Sequence, residues 1–204
     1  MQFIEFKNKF KEQNVFSKKD IEKQFPAYNK MNLVNWQKKG YITKIRNSWY
    51  CFPEIKSIVN YNFLIANKIY KPSYVSLETA LSFYGFIPEG VFLTRSVSSL
   101  KTQEFNTEFG VYSYKSIKTN LFFGYKLLIF DTITIKIAEP EKALLDFLYL
   151  KKTINDIDDI KAVRFNKEEI KLLVDFKKLN SYASLFKSKK LNSKIKILEK
   201  YIYA

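Results

Sequence analysis

The feature that most constrains the fold is a change of period at Gly40: apolar residues recur at helical spacing before it and alternate as in strands after it. Phe3, Phe6 and Phe10, with Ile4 beside them, form one stripe, and Lys7, Lys9, Lys11 and Glu12 fill the other side, which predicts an amphipathic helix. Ser17 is a good N-cap with Asp20 at the third helical position, and Phe16 and Ile21 are placed as a hydrophobic staple, so a second helix should run to about Phe25. Pro26 interrupts it. A third helix then takes Met31, Leu33, Val34 and Trp36 as its apolar positions and Gly40 as its stop. Tyr41 to Ile45 and Trp49 to Phe52, around Arg46-Asn47-Ser48, pattern as a β-hairpin ended by Pro53. Three short helices followed at once by a hairpin predict a winged helix-turn-helix over residues 1–55.

In such a fold the third helix enters the major groove of a duplex, and the residues expected on its outward face near the amino end are Tyr28, Asn29, Lys30, Asn32 and Asn35. Asparagine pairs bidentately with adenine, and lysine meets guanine or phosphate. The wing tip offers Lys44, Arg46, Asn47 and Ser48 to phosphate or the minor groove, while Ser17, Lys18 and Lys19 open the second helix, where free N–H groups favour an anion. Against this stands the reading that winged helices also serve as protein-interaction modules. Trp36 and Trp49 fall where burial is expected and need no role as stacking platforms.

Charge agrees with a polyanionic partner. The chain carries 35 basic and 20 acidic side chains, a net +15. Residues 1–70 hold 13 basic and 5 acidic groups, 71–160 hold 10 and 11, and 161–204 hold 12 and 4, so the excess sits at the two ends around a neutral middle. With no histidine in the chain, imidazole general bases and zinc ligands are excluded. The single cysteine, Cys51, forms no internal disulfide and suits a reducing, cytoplasmic setting. No run of eighteen apolar residues occurs and the amino end lacks a leader pattern, so neither membrane nor secretion is expected.

Beyond a linking helix in 56–72, residues 73–204 should form a mixed α/β domain, which makes the whole chain α+β. Ser76 is placed to cap a helix that stops at Gly85. Strands are expected over 91–94, roughly 109–116 and 121–130, and at Ile133, Ile135 and Ile137, which alternate with Thr132, Thr134 and Lys136. Pro140 then opens a helix carrying Ala143, Leu144, Leu145, Phe147 and Leu148. Asn166 and Glu169 mark another helix start, and a further helix is expected from about Ser181. The last stretch, with Lys187, Lys189, Lys190, Lys194, Lys196 and Lys200 around Ile195, Leu198 and Ile202, is amphipathic and cationic. It suits a second DNA-backbone contact, a dock for an acidic partner, or a lid on the core.

Tyr74-Val75-Ser76-Leu77-Glu78-Thr79-Ala80-Leu81, then Tyr84-Gly85-Phe86-Ile87-Pro88-Glu89, then Ala138-Glu139-Pro140-Glu141-Lys142-Ala143-Leu144-Leu145-Asp146 closely resemble the AbiEi-type antitoxins of bacterial toxin–antitoxin and abortive-infection systems. The resemblance spans most of the chain. It implies an autoregulatory repressor that binds inverted repeats in the double-stranded DNA of its own promoter and counteracts a nucleotidyltransferase-like toxin encoded beside it. It implies no cofactor. The motif positions it singles out are Ser76, Glu78, Pro88, Glu89, Glu139, Pro140, Glu141, Lys142 and Asp146. The alternative is a module that binds and inhibits the toxin directly and has only weak DNA affinity.

An enzyme would have to use Asp131, Glu139, Glu141 and Lys142, grouped like the carboxylates and lysine of a nuclease metal site. Such sites separate acid and lysine by one residue on a strand, whereas Glu141 and Lys142 are adjacent and lie beyond Pro140, already in the helix. An ordinary helix start accounts for them, with Asp146 one turn on as the ion-pair partner of Lys142. No catalysis and no metal are expected.

Overall fold

The computed structural model describes residues 2–88, 90, 93–130 and 133–204. Val91, Phe92, Asp131 and Thr132, expected in or beside strands, and the motif residue Glu89 lie outside the described residues. The chain is α+β, with two sheets.

The amino-terminal part runs α1 (Phe3–Phe10), β1 (Val15–Ser17), α2 (Lys18–Gln24), α3 (Met31–Lys38), β2 (Thr43–Arg46) and β3 (Trp49–Cys51). The three strands form an antiparallel sheet in the order β1-β3-β2. β1 has too few residues to show a period, and only its pairing with β3 makes it a strand. Ser17 and Asp20 make the expected capping box, and Gly40 adopts the left-handed conformation that ends α3. Phe6, Phe10, Phe16, Ile21, Leu33, Trp36, Ile42, Tyr50 and Phe52 close a small, largely aromatic core under these helices.

The other side of the small sheet is not free. Val15, Ile45 and Cys51, with Ile55 just beyond, belong to the larger core of the chain. α4 (Tyr61–Ile69) is accordingly a core element, with Phe63, Leu64, Ile65, Ala66 and Ile69 buried. It packs on β1 and on β4 (Ser73–Val75) and β9 (Ile133–Ala138) of the second sheet. The expected linker therefore joins the two parts by packing as well as by chain.

The second sheet adds β5 (Leu93–Ser98), β6 (Gln103–Thr107), β7 (Gly110–Ser116) and β8 (Tyr125–Phe130), in the order β6-β7-β5-β4-β9-β8. β7 with β5 and β4 with β9 are parallel, and the other pairs are antiparallel. Only Val75 and Ile137 pair between the short β4 and β9. Next to that pair, Asn67 of α4 takes the place of a strand partner: its side-chain amide accepts from Lys136 N at 2.5 Å and donates to Lys136 O at 3.2 Å.

α5 (Leu77–Phe83) packs on α6 (Pro140–Leu150), and α6 packs in turn on α9 (Phe176–Leu185) and α10 (Lys189–Tyr203). α7 (Ile157–Ala162) and α8 (Lys167–Leu173) also lie against α10. The helix expected from Ser181 begins five positions earlier, because Asp175 caps it by accepting from Lys177 N and Lys178 N. Of the three roles open to the basic tail, α10 visibly serves as the lid. Leu191, Ile195, Leu198 and Ile202 are buried, and the Lys194 ammonium donates to Leu148 O at 2.6 Å and Lys151 O at 2.8 Å, covering carbonyls at the end of α6. Among the described residues no helix is long and apolar enough to cross a membrane.

Candidate nucleic-acid interface

The predicted DNA contacts lie at the start of α2, on and just before α3, and on the β2–β3 hairpin, and the structure sorts them. Lys19, Lys30, Asn35, Lys44, Asn47 and Ser48 are exposed, and Lys18 and Asn32 are half-buried. No carboxylate lies within ion-pair distance of Lys18, Lys19, Lys30, Lys38 or Lys44 among the described residues. The backbone N–H of Lys18 donates to Ser48 O at 2.9 Å, which holds the start of α2 against the hairpin turn.

Four of the residues expected to touch DNA are engaged within the chain. Ser17 is buried, and its hydroxyl donates to Asp20 Oδ2 at 2.8 Å while accepting from Asp20 N at 3.2 Å, so the capping box that forms the helix also occupies the group. Tyr28 packs against the small core with its hydroxyl enclosed, and burial raises its pKa, with Glu22 adding to the effect. Asn29 turns back: its Oδ1 accepts from Met31 N at 2.9 Å, a turn that starts α3. Arg46 lies at a register shift after Lys44, a bulge that re-aims the strand end. Its guanidinium donates to Ile69 O at 3.1 Å and stands 3.7 Å from the centre of the Phe105 ring, so it links the hairpin to α4 and β6.

Sequence reasoning missed two residues of this face. Met31 and Val34, expected in the apolar stripe, are 57% and 40% exposed, while Leu33 and Trp36 carry the packing of α3. The available signal is the width of the stripe. A helix of two turns resting on one small core needs few anchors, and Leu33 with Trp36 already supplies them.

Compared with models of known protein families and with curated protein sequences, the chain matches none.

The motif residues of the larger part form a buried network and no open surface. Ser76, Lys142 and Asp146 are fully buried and Glu141 nearly so. The expected ion pair between Lys142 and Asp146 is present. Tyr74 Oη accepts from Lys142 Nζ at 2.7 Å and donates to Asp146 Oδ2 at 2.9 Å, and Ser76 Oγ donates to the same oxygen at 2.9 Å. Ser76 is thus no side-chain cap for α5, because Asp146 takes its hydroxyl. Burial pushes the Asp146 carboxyl up and the Lys142 ammonium down, each opposed by the attraction of the other. The rings of Tyr74, Phe123 and Phe186 surround the ammonium at 5.3 to 5.4 Å from their centres. Gly124 closes this wall in a left-handed conformation, where an added Cβ would come within 3.0 Å of Tyr182 and 3.1 Å of Lys142.

Around the network, Lys178 lies 3.2 Å from both Glu139 and Glu141, and Tyr182 donates to Glu139 at 2.8 Å. These contacts fasten α9 to the start of α6. Pro140 opens that helix as expected, and Pro88 is exposed. Glu78 pairs with Arg95 at 3.3 Å and Lys151 at 3.4 Å at the edge of a cavity of about 560 Å³ that Ile87, Leu93, Phe147 and Ile154 also line. Of the residues weighed as a nuclease centre, Lys142 is sealed in the core, Glu139 and Glu141 face Lys178, and Asp131 lies outside the described residues.

Proposed function

We propose that the chain is a cytoplasmic, sequence-specific DNA-binding regulator of the antitoxin kind, which represses its own operon and counteracts a nucleotidyltransferase-like toxin without catalysing a reaction itself. The observation that carries this reading is the order α1-β1-α2-α3-β2-β3 with an antiparallel β1-β3-β2 sheet, the element order of a winged helix, combined with lysines on α2, α3 and the hairpin that are in no ion pair among the described residues. The resemblance of the 74–89 and 138–146 segments to AbiEi-type antitoxins supports the second half. Those segments build the interior of the larger part, so a surface for the toxin is to be sought on the elements they hold together.

Two measurements test the reading. A mobility-shift assay of the full chain with duplex DNA from its own promoter should give a complex that resists random-sequence competitor. Co-expression with the neighbouring toxin should restore growth. Binding that random DNA abolishes, with growth restored by a toxin complex that survives purification, would replace repression by direct inhibition.

A further inference from the structure

Met31, Val34, Asn35 and Lys38 stand at i, i+3, i+4 and i+7 of α3 and therefore share one stripe. All four are exposed, and the core-facing side of the helix is complete without them. Folding leaves these two large apolar side chains, Met31 and Val34, exposed beside an asparagine.

Arginine is the side chain best suited to grip guanine O6 and N7 together. Residues 1–70 contain one arginine, Arg46, and it is held on the Phe105 ring and the Ile69 carbonyl. The centre of the α3 stripe, between Lys30 and Lys38, therefore carries neither arginine nor lysine. It carries apolar surface matched to the C5-methyl of thymine and an amide matched to adenine N6 and N7. Lys30 and Lys38 bracket the stripe at either end of the helix, within reach of flanking phosphates.

We infer that the α3 stripe reads A·T pairs in the major groove, with Met31 and Val34 against thymine methyls and Asn35 paired to an adjacent adenine. This rests on the DNA-binding reading and adds the base identity that the site selects. A protein partner seated on Met31 and Val34 is the competing occupant, and Lys30 and Lys38, exposed beside the stripe, favour the polyanion.

The experiment uses the full chain. Preferred duplexes are selected from a random pool, and the winner is remade with uracil for thymine, which deletes only the C5-methyl, and separately with 7-deazaadenine for adenine, which deletes only N7. Uracil at a contacted position should weaken binding about fourfold per methyl, from the transfer value of one carbon. Val34→Ala should shrink the difference between thymine and uracil at the position Val34 contacts while leaving the difference at the Met31 position in place. Asn35→Ala should weaken binding about 5- to 150-fold and become insensitive to 7-deazaadenine. Both positions are exposed, and circular dichroism and urea midpoints confirm that the variants fold. Sequence-selective binding that is indifferent to uracil and 7-deazaadenine, or selection of G·C pairs at the centre, overturns the inference while leaving DNA binding intact. Absence of any sequence preference overturns both together. Met31 or Val34 variants that bind DNA unchanged but lose the toxin assign the stripe to a protein.

Discussion

Arg46 stands over the ring of Phe105, its guanidinium carbon 3.7 Å from the ring centre, and so ties the last residue of β2 to the edge strand of the larger sheet. A side chain that the sequence marks for DNA phosphate is engaged in holding two parts of the chain together.

Arg46→Ala should therefore lower stability by about 1–2 kcal/mol, the worth of a partly desolvated cation–π contact with a hydrogen bond. It should leave the salt dependence of DNA binding unchanged. Lys44→Ala, two residues away and exposed, should do the reverse and reduce the slope of log K against log salt by about 0.9. Urea unfolding and binding across a salt series separate the two. An Arg46→Ala protein with unchanged stability and a shallower slope would return Arg46 to the phosphate.

A truncation that starts at Tyr61 loses Val15, Ile45, Cys51 and Ile55 from the larger core. At roughly 1.5–3 kcal/mol for each fully buried aliphatic side chain, the remainder should be destabilised by about 5 kcal/mol or more. It should melt far below the full chain or aggregate. A truncation with the same unfolding midpoint as the parent would show that the small sheet only leans on the rest.

Removing one partner of the buried Lys142–Asp146 pair leaves a charge without its counterion in the core. Lys142→Met and Asp146→Asn should each cost about 3–5 kcal/mol, and the double variant should cost clearly less than their sum. Chemical denaturation of the four proteins measures the coupling. Additive losses would mean that the two groups act independently.

Stability should fall as pH rises above about 9. Burial lifts the Cys51 thiol from its ordinary 9.0 to about 12, and the hydroxyls of Tyr84, Tyr112 and Tyr114 also move up through burial. Because the folded state holds these protons longer than the unfolded state, unfolding releases protons between pH 9 and 12 and becomes easier across that window. Urea midpoints from pH 7 to 11 should decline. The thiol should react with a disulfide reagent at pH 8 only after unfolding, and rapid labelling of the native chain would place Cys51 at the surface.

Features set by residues within four positions of one another were legible in the sequence. The Ser17–Asp20 box, the glycine stops at Gly40 and Gly85, the Pro140 helix start and the alternation of Ile133, Ile135 and Ile137 depend on local backbone geometry, and each is where its neighbours imply. The short strands β1 and β6 were not legible, because their identity comes from β3 and β7 and not from their own period.

What only the tertiary structure decided is the job of each polar side chain. Ser76 reads as a cap until Asp146, 70 positions away, takes its hydroxyl, and Tyr74 joins the same carboxylate across 72 positions. Arg46 reads as a phosphate ligand until Phe105 and Ile69 arrive beside it, and Met31 and Val34 read as core until Leu33 and Trp36 have filled it. The physical reason is common to these cases. Backbone propensity is a property of the local chain, whereas a hydrogen bond, a ring contact or a buried face is decided by whichever distant group the fold brings within a few ångströms.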